Sequence, residues 1–346
     1  MAKYQKQVSL GYNAEGKRIR KWIHADSQQE LNRKERELLM SADKELQSST
    51  RFGTYAQQWI ETYKSNKSVA TQELYKYTLK HLSPLDQKPL KDITRMDVQR
   101  IINELSDRPT MASMVAMTVK QILDSAAADN LIQPKYLKID LPKKQKAEKR
   151  ALTDTEKEAV KSAELEPMER LFVDIEFYLG LRPEETRALQ PRDFDLKARI
   201  VTISKACALS GGQPHIKDTK TGVVRTIPIP DALCAEIRAY NAHFSGFYYF
   251  TDEQGHLFTK GRYRAFCASI FKKINAALGG NDHMNLLNGM TMYTFRHNRA
   301  TELYYLPGIS TKKKAEYMGH SELMFLRTYS HLDDTKEDEE LLRQVL

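Results

Sequence analysis

The sequence predicts a multidomain fold, mainly α with small β-sheets: an N-terminal β-β-α unit, a helical domain and a mixed α/β domain. Three observations predict it. The 346 residues exceed one ordinary domain of roughly 150. Period-two alternation is confined to the first 25 residues and to two short stretches near 199–206 and 223–229, and helical periodicity dominates elsewhere. A cationic, aperiodic stretch over 142–150 separates the helical domain from the mixed one. The expected domains are therefore 1–50, 51–141 and 151–346, joined by the basic linker 142–150.

In chain order, Gln5–Leu10 and Lys17–His24 alternate like strands around the turn residues Tyr12–Gly16. Ser27 followed by Glu30 reads as a helix start. Lys17, Arg18, Arg20 and Lys21 would line a ribbon able to enter a DNA groove, or simply a solvated hairpin face. Thr54 is read as the cap of a helix bearing Tyr55, Trp59, Ile60 and Tyr63, with further helices over 69–81, 94–105 and 111–130. The Met111, Met114 and Met117 stripe is read as core packing. Lys143, Lys144 and Lys146 lie in the linker, either as a tether across phosphates or as a plain hinge. Thr153 or Asp154 opens the third domain, with helices to Leu179, strands at 199–206 and 223–229 around a Gly- and Lys-rich loop, and helices from Asp231 onward. A last helix is expected over Asp338–Val345.

Composition excludes several classes. No run free of Asp, Glu, Lys and Arg exceeds 13 residues, short of the about 20 that a membrane helix needs. Three widely spaced cysteines, Cys207, Cys234 and Cys267, form no C-x-x-C pair, which points away from zinc fingers and disulfide scaffolds and towards a reducing cytoplasm. The phosphate-loop, dinucleotide-binding, H-E-x-x-H and G-x-S-x-G patterns are missing. The net charge of +9 invites a polyanion, and it is unevenly placed. Segments 1–50, 51–141 and 142–150 carry +3, +3 and +4, whereas 151–346 carries −1.

What remains is a set of cations and hydroxyls at helix ends. Gly180 can end the apolar helix Leu171–Leu179 and Pro183 can start the next, which puts Arg182 at a helix N-terminus suited to phosphate. Lys220 sits at a loop tip in Asp218-Thr-Lys-Thr-Gly222, with Lys217 as its rival. Arg296 lies early in a helix within Thr291–Thr301, His320 follows Gly319, and Tyr329 falls nine residues further on. Each has a bland alternative when taken singly: a surface arginine, a loop lysine, a structural histidine, a packing tyrosine.

In order, Gly-Leu-Arg182, Lys220-Thr-Gly, Phe-Arg296-His, Gly-His320-Ser and Tyr329 resemble the tyrosine recombinases, the phage integrase family. The resemblance is carried by residues 151–346, and by helical pattern over 54–140. The N-terminal unit is loosely similar to arm-site-binding domains of integrases from temperate phages and conjugative transposons. The resemblance implies a catalytic domain of tyrosine recombinase type and cleavage of DNA through a 3′-phosphotyrosine, with no metal and no ATP. Tyr329 would be the nucleophile. Arg182 and Arg296 would neutralise the transition-state oxygens, His320 would add a hydrogen bond, and Lys220 would protonate the leaving 5′-oxygen. Glu185 occupies the position of an orienting carboxylate. Tyr293 stands where the family usually has histidine. A phenol of pKa about 10 is a poor base at neutral pH, so the proton acceptor for Tyr329 stays open.

The implied partners are double-stranded DNA at core and arm sites and three further copies of the chain. An excisionase or a host DNA-bending protein would be accessory. The competing readings are a type IB topoisomerase-like enzyme, a DNA-binding protein with a decayed site, and a structural basic protein. The N-terminal unit favours an integrase over a topoisomerase, and the ordered boxes disfavour the last reading.

Overall fold

A computed structural model describes residues 4–12, 18–48, 50–144, 150–219 and 222–329. Lys17, Lys146, Lys220, the side chain of Arg18 and the expected last helix lie outside the described residues. The chain divides into two compact units, Met1–Lys146 and Ala147–Leu346.

In the first unit, β1 (Tyr4–Tyr12) and β2 (Arg18–Ala25) pair antiparallel, with Val8 opposite Lys21 and Lys6 opposite Ile23. Ser27 Oγ accepts from the Glu30 amide at 3.2 Å and starts α1 (Gln28–Ser48). Val8, Ala25 and Leu31 are buried, and Lys6 pairs with Glu35 at 2.7 Å, so one side of the ribbon packs on α1. Strand alternation puts Lys21 on that side and Arg20, Trp22 and His24 on the other.

Four further helices follow: α2 (Phe52–Tyr63), α3 (Val69–His81), α4 (Arg95–Asn103) and α5 (Pro109–Ala128). A reciprocal Thr94–Asp97 capping box starts α4, and Pro109 occupies the first turn of α5. The expected Thr54 cap is corrected: α2 begins at Phe52 with Arg51 at its N-cap, three residues earlier. The amides of Phe52 and Gly53 donate to the Lys88 and Asp86 carbonyls at 2.9 and 3.1 Å, so distant backbone serves the free amides that a cap would serve. Of the methionine stripe, Met111 packs against the core as expected, and the rest is corrected. The buried side of α5 is Ala112, Val115, Thr118, Val119, Ile122, Leu123 and Ala126, and Met117 is exposed.

Trp59 is buried where α2, α3 and α5 meet, edge-on to Tyr75 and donating its indole N–H to Ser125 Oγ at 2.8 Å. Trp59→Ala should destabilise this unit by about 3–5 kcal/mol through the cavity it leaves. Urea unfolding followed by circular dichroism measures it, and a loss below about 1 kcal/mol would mean that Trp59 is not central to this core.

The second unit opens on a Thr153–Glu156 capping box at α6 (Asp154–Ser162). Arg150, expected within the free tether, is instead pinned. Its guanidinium makes two 2.6 Å bonds to Glu156 and reaches the Leu287 and Asn288 carbonyls at 3.1 and 3.2 Å. The apolar α7 (Pro167–Leu179) then runs through the core to the single turn α8 (Pro183–Thr186).

Five strands follow: β3 (Phe194–Asp195), β4 (Ile200–Ile203), β5 (Lys205–Ser210), β6 (Gln213–Asp218) and β7 (Arg225–Pro228). The strands β3, β4 and β7 form one antiparallel sheet, with Val201 opposite both Phe194 and Ile227. The stretch read as a loop between two strands contains the separate β5–β6 hairpin. Most of β6 is exposed and polar, so it leaves no alternation to read.

The remaining helices are α9 (Asp231–Asn241), α10 (Lys260–Ala277), α11 (Met292–Tyr305), α12 (Thr311–Met318) and α13 (Glu322–Tyr329). The main core gathers Phe172, Ile175, Val201, Ile227, Phe250 and Phe295. A smaller one joins α11, α12 and α13 through Ala300, Leu303, Ala315, Met318, Phe325 and Tyr329. No helix among the described residues is long and apolar enough to cross a membrane.

Candidate active site

Two left-handed glycines turn the chain at the site. Gly180 (φ 61°) ends α7, and Gly319 (φ 62°) ends α12. At Gly319 a Cβ would come within 3.0–3.2 Å of the Arg225 and Arg182 guanidinium groups, so a side chain there would press on both arginines in addition to straining the left-handed backbone.

Arg182 is the N-cap of α8. It donates to Glu185 Oε1 and to the Gly319 carbonyl, each at 2.8 Å, while its backbone amide donates to Glu185 Oε2 at 3.1 Å. Below this turn, the fully buried Glu176 accepts the Thr186 hydroxyl at 2.6 Å and ties α7 to α8. Burial pushes the Glu176 carboxyl well above its ordinary value, against the opposing pull of the Thr186 hydroxyl and the Arg296 charge.

Arg296 enters from α11, 4% exposed. It donates to the Gly180 carbonyl at 2.8 Å, to the Met318 carbonyl, and to His320 Nε2 at 2.9 Å. One side chain thereby joins both glycine turns. Burial, then the Arg182 charge, lowers Arg296 to about 10, and it stays charged at pH 7. Burial together with the Arg296, Arg182 and Arg225 charges holds His320 down at about 3. His320 is therefore neutral. With Nε2 accepting from Arg296, its proton sits on Nδ1, which has no hydrogen-bond partner among the described residues.

Glu185 is 1% exposed and binds two arginines. Arg225 of β7 donates to both its oxygens, at 3.1 and 2.6 Å, and to the Tyr317 carbonyl. Burial alone would raise this carboxyl, but the Arg225 bond and the Arg225 and Arg182 charges outweigh it and leave it at about 2.

Tyr329 ends α13 and is buried in the small core, with its ring 5.0 Å from that of Phe325. Burial pushes its phenol up to about 12 against the opposing pull of Arg296. Its hydroxyl lies 3.3 Å from His297 Nδ1. Tyr293 points its hydroxyl at the Glu184 carboxylate, 2.9 and 3.0 Å from the two oxygens. Burial and the Glu184 charge both raise its phenol, which makes it a donor and not a base.

The structure thus brings together Arg182, Glu185, Arg296 and His320, with Tyr329 and Tyr293 attached through His297 and Glu184. Arg20, Lys21, Lys143 and Lys144 are exposed. Sequence reasoning missed Arg225, His297 and Glu184. The available signals were faint: a cation inside the apolar strand 223–229, a histidine beside Arg296, and a second carboxylate after Pro183. Among the described residues no cluster of three or more His, Cys, Asp or Glu is placed to hold a metal ion.

Fold and site together define the class. The chain belongs to the phage integrase family: the model of that family matches residues 144–336, and that of the phage integrase N-terminal SAM-like domain matches 51–106. Among solved structures, the chain is similar to the Tn1549 transposon integrase in complex with a circular intermediate DNA (TM-score 0.72, 19% identity, 85% of this chain and 100% of that one). It is also similar to a lambda integrase dimer bound to a core site (TM-score 0.64, 16% identity, 92% and 90%). A third is the lambda integrase tetramer bound to a Holliday junction (TM-score 0.62, 17% identity, 92% and 91%). At these identities the likeness is one of fold. No curated protein matches the chain significantly.

Proposed function

We propose that the protein is a site-specific DNA recombinase, the integrase of a mobile element, which cuts and rejoins DNA through a 3′-phosphotyrosine at Tyr329. The observation that carries this reading is the convergence of Arg182, Arg296 and His320 on the two glycine turns, in the unit that also holds Tyr329.

Two guanidinium groups neutralise the non-bridging oxygens of the pentacoordinate phosphorus, where charge accumulates in the transition state. His320 donates from Nδ1, the nitrogen that its contact with Arg296 leaves carrying the proton and that has no partner among the described residues. Lys220 protonates the departing 5′-oxygen, which would otherwise leave as an alkoxide. Glu185 and Arg225 hold Arg182 in place. The phosphotyrosine conserves the energy of the phosphodiester, so rejoining needs neither ATP nor metal.

DNA gripping falls to the N-terminal residues. The exposed side of the β1–β2 ribbon, with Arg20, Trp22 and His24, faces an arm-site groove, and Lys143 and Lys144 lie along the core-site phosphates. The domain division 1–50, 51–141, 142–150 and 151–346 assigns arm binding, core binding, tether and chemistry in that order. Lambda integrase forms a tetramer on a Holliday junction, and we assign the same assembly to this chain on paired core sites.

The test uses a nicked duplex whose core site has been selected from random sequence by binding to the full-length protein. The expected result is a protein–DNA adduct stable to detergent, formed equally with and without EDTA, with the DNA mapped by mass spectrometry to Tyr329. A strict need for divalent metal, or no adduct on a duplex that binds, would overturn the reading.

A further inference from the structure

The proposed chemistry lacks one participant: a group to take the proton of Tyr329. Tyr293 is committed to Glu184 as a donor. His320 spends its basic nitrogen, Nε2, on Arg296. Among the described residues, the ring nitrogen in contact with the Tyr329 hydroxyl is Nδ1 of His297, at 3.3 Å.

We propose that His297 is the general base for Tyr329, accepting its proton at Nδ1 as the phosphotyrosine forms. The assignment rests on Tyr329 being the nucleophile. Arg296 and His297 are consecutive on α11, so the same helix turn that holds the phosphate clamp also presents the base. The two rings lie 6.4 Å apart at 57°, and the hydrogen bond is made edge to hydroxyl. His297 is half-buried.

The step balances. The bond between Tyr329 Oη and phosphorus forms, and the bond between phosphorus and the 5′-oxygen breaks. The tyrosine proton passes to His297. The electron pair of the broken bond leaves on the 5′-oxygen, which takes a proton from Lys220. Rejoining runs each transfer backwards, and His297 then protonates the departing phenol. Among the described residues, the titratable and charged groups near His297 include Tyr329 on α13, His320 on the turn before it and Arg296 next to it on α11, while Tyr304 packs on the Tyr329 ring.

Single-turnover cleavage of the selected nicked duplex, from about pH 5.5 to about pH 10, tests the assignment in the full-length protein. His297→Ala and the shape-conserving His297→Asn should both cleave roughly 100-fold or more slowly near neutrality. Their deficit should shrink as rising pH ionises the phenol directly, and added imidazole should restore the alanine variant. Rates within about twofold of the parent across the range would overturn the proposal. So would a uniform loss with unchanged pH dependence and no response to imidazole, because that pattern marks a packing role. Tyr329→Phe runs alongside. An adduct in that variant rejects the nucleophile, whereas its loss combined with normal His297 variants rejects the base alone.

Discussion

Tyr329→Phe should abolish the covalent adduct, lowering cleavage by roughly four orders of magnitude or more, as loss of a nucleophile does elsewhere. It should do so without unfolding the protein. The ring fills a small core with Ala300, Leu303, Ala315, Met318 and Phe325, and phenylalanine keeps that volume. Only the long contact to His297 is given up, and shedding a buried hydroxyl offsets part of that loss. The expected stability change is within about 1 kcal/mol. DNA affinity should stay near parental, since the grip resides in other residues. An adduct persisting in the variant would move the nucleophile elsewhere, with the neighbouring Tyr304 and Tyr305 examined first.

Glu185→Gln should be the most damaging single change to the second unit that leaves its volume intact. The carboxylate is the counter-charge for both Arg182 and Arg225, and removing one partner of a buried ion cluster costs about 3–5 kcal/mol. The effect carries its own pH signature. A carboxyl held at about 2 in the folded chain, against roughly 4.3 when unfolded, stabilises the fold fully above the unfolded value. That contribution fades as pH falls through the folded one. The shift corresponds to about 3 kcal/mol, so the gap between parent and variant should be widest above pH 5 and narrow steadily towards pH 2. Urea unfolding at a series of pH values reads this directly. A gap constant with pH would show that the arginines are balanced by some other group.

The features legible in the sequence are those whose causes are local. The apolar run of α7, the glycine that stops it and the proline that follows place Arg182 at a helix start. The Gly319 turn places His320 between two helices in the same way. The Thr153–Glu156 box marked a helix start within one residue. What escaped depends on partners distant along the chain. Arg225 acquires its role from Glu185, 40 residues away, and only the folding of β7 against the α8 turn reveals it. His297 is an ordinary histidine until α13 lays Tyr329 beside it. The β5–β6 hairpin escaped because its exposed polar strand has no buried side to pattern, and Thr54 misled because carbonyls at 86 and 88 serve the start of α2. Methionine is the commonest large residue on α5, yet only Met111 of the three packs against the core, and alanine, valine, isoleucine and leucine supply most of the buried side.

The charge within the site carries a last consequence. Arg182 and Arg225 share the buried carboxylate of Glu185, and burial, with the Arg182 and Arg225 charges adding to it, lowers the affinity of Arg296 for its proton. On the proposed function, an anionic phosphodiester would offset this positive charge when it binds. Under that reading, DNA binding and the stability of the second unit are thermodynamically linked: a phosphodiester bound by Arg182 and Arg296 would stabilise the fold that holds them, and thermal unfolding with and without DNA would read that link.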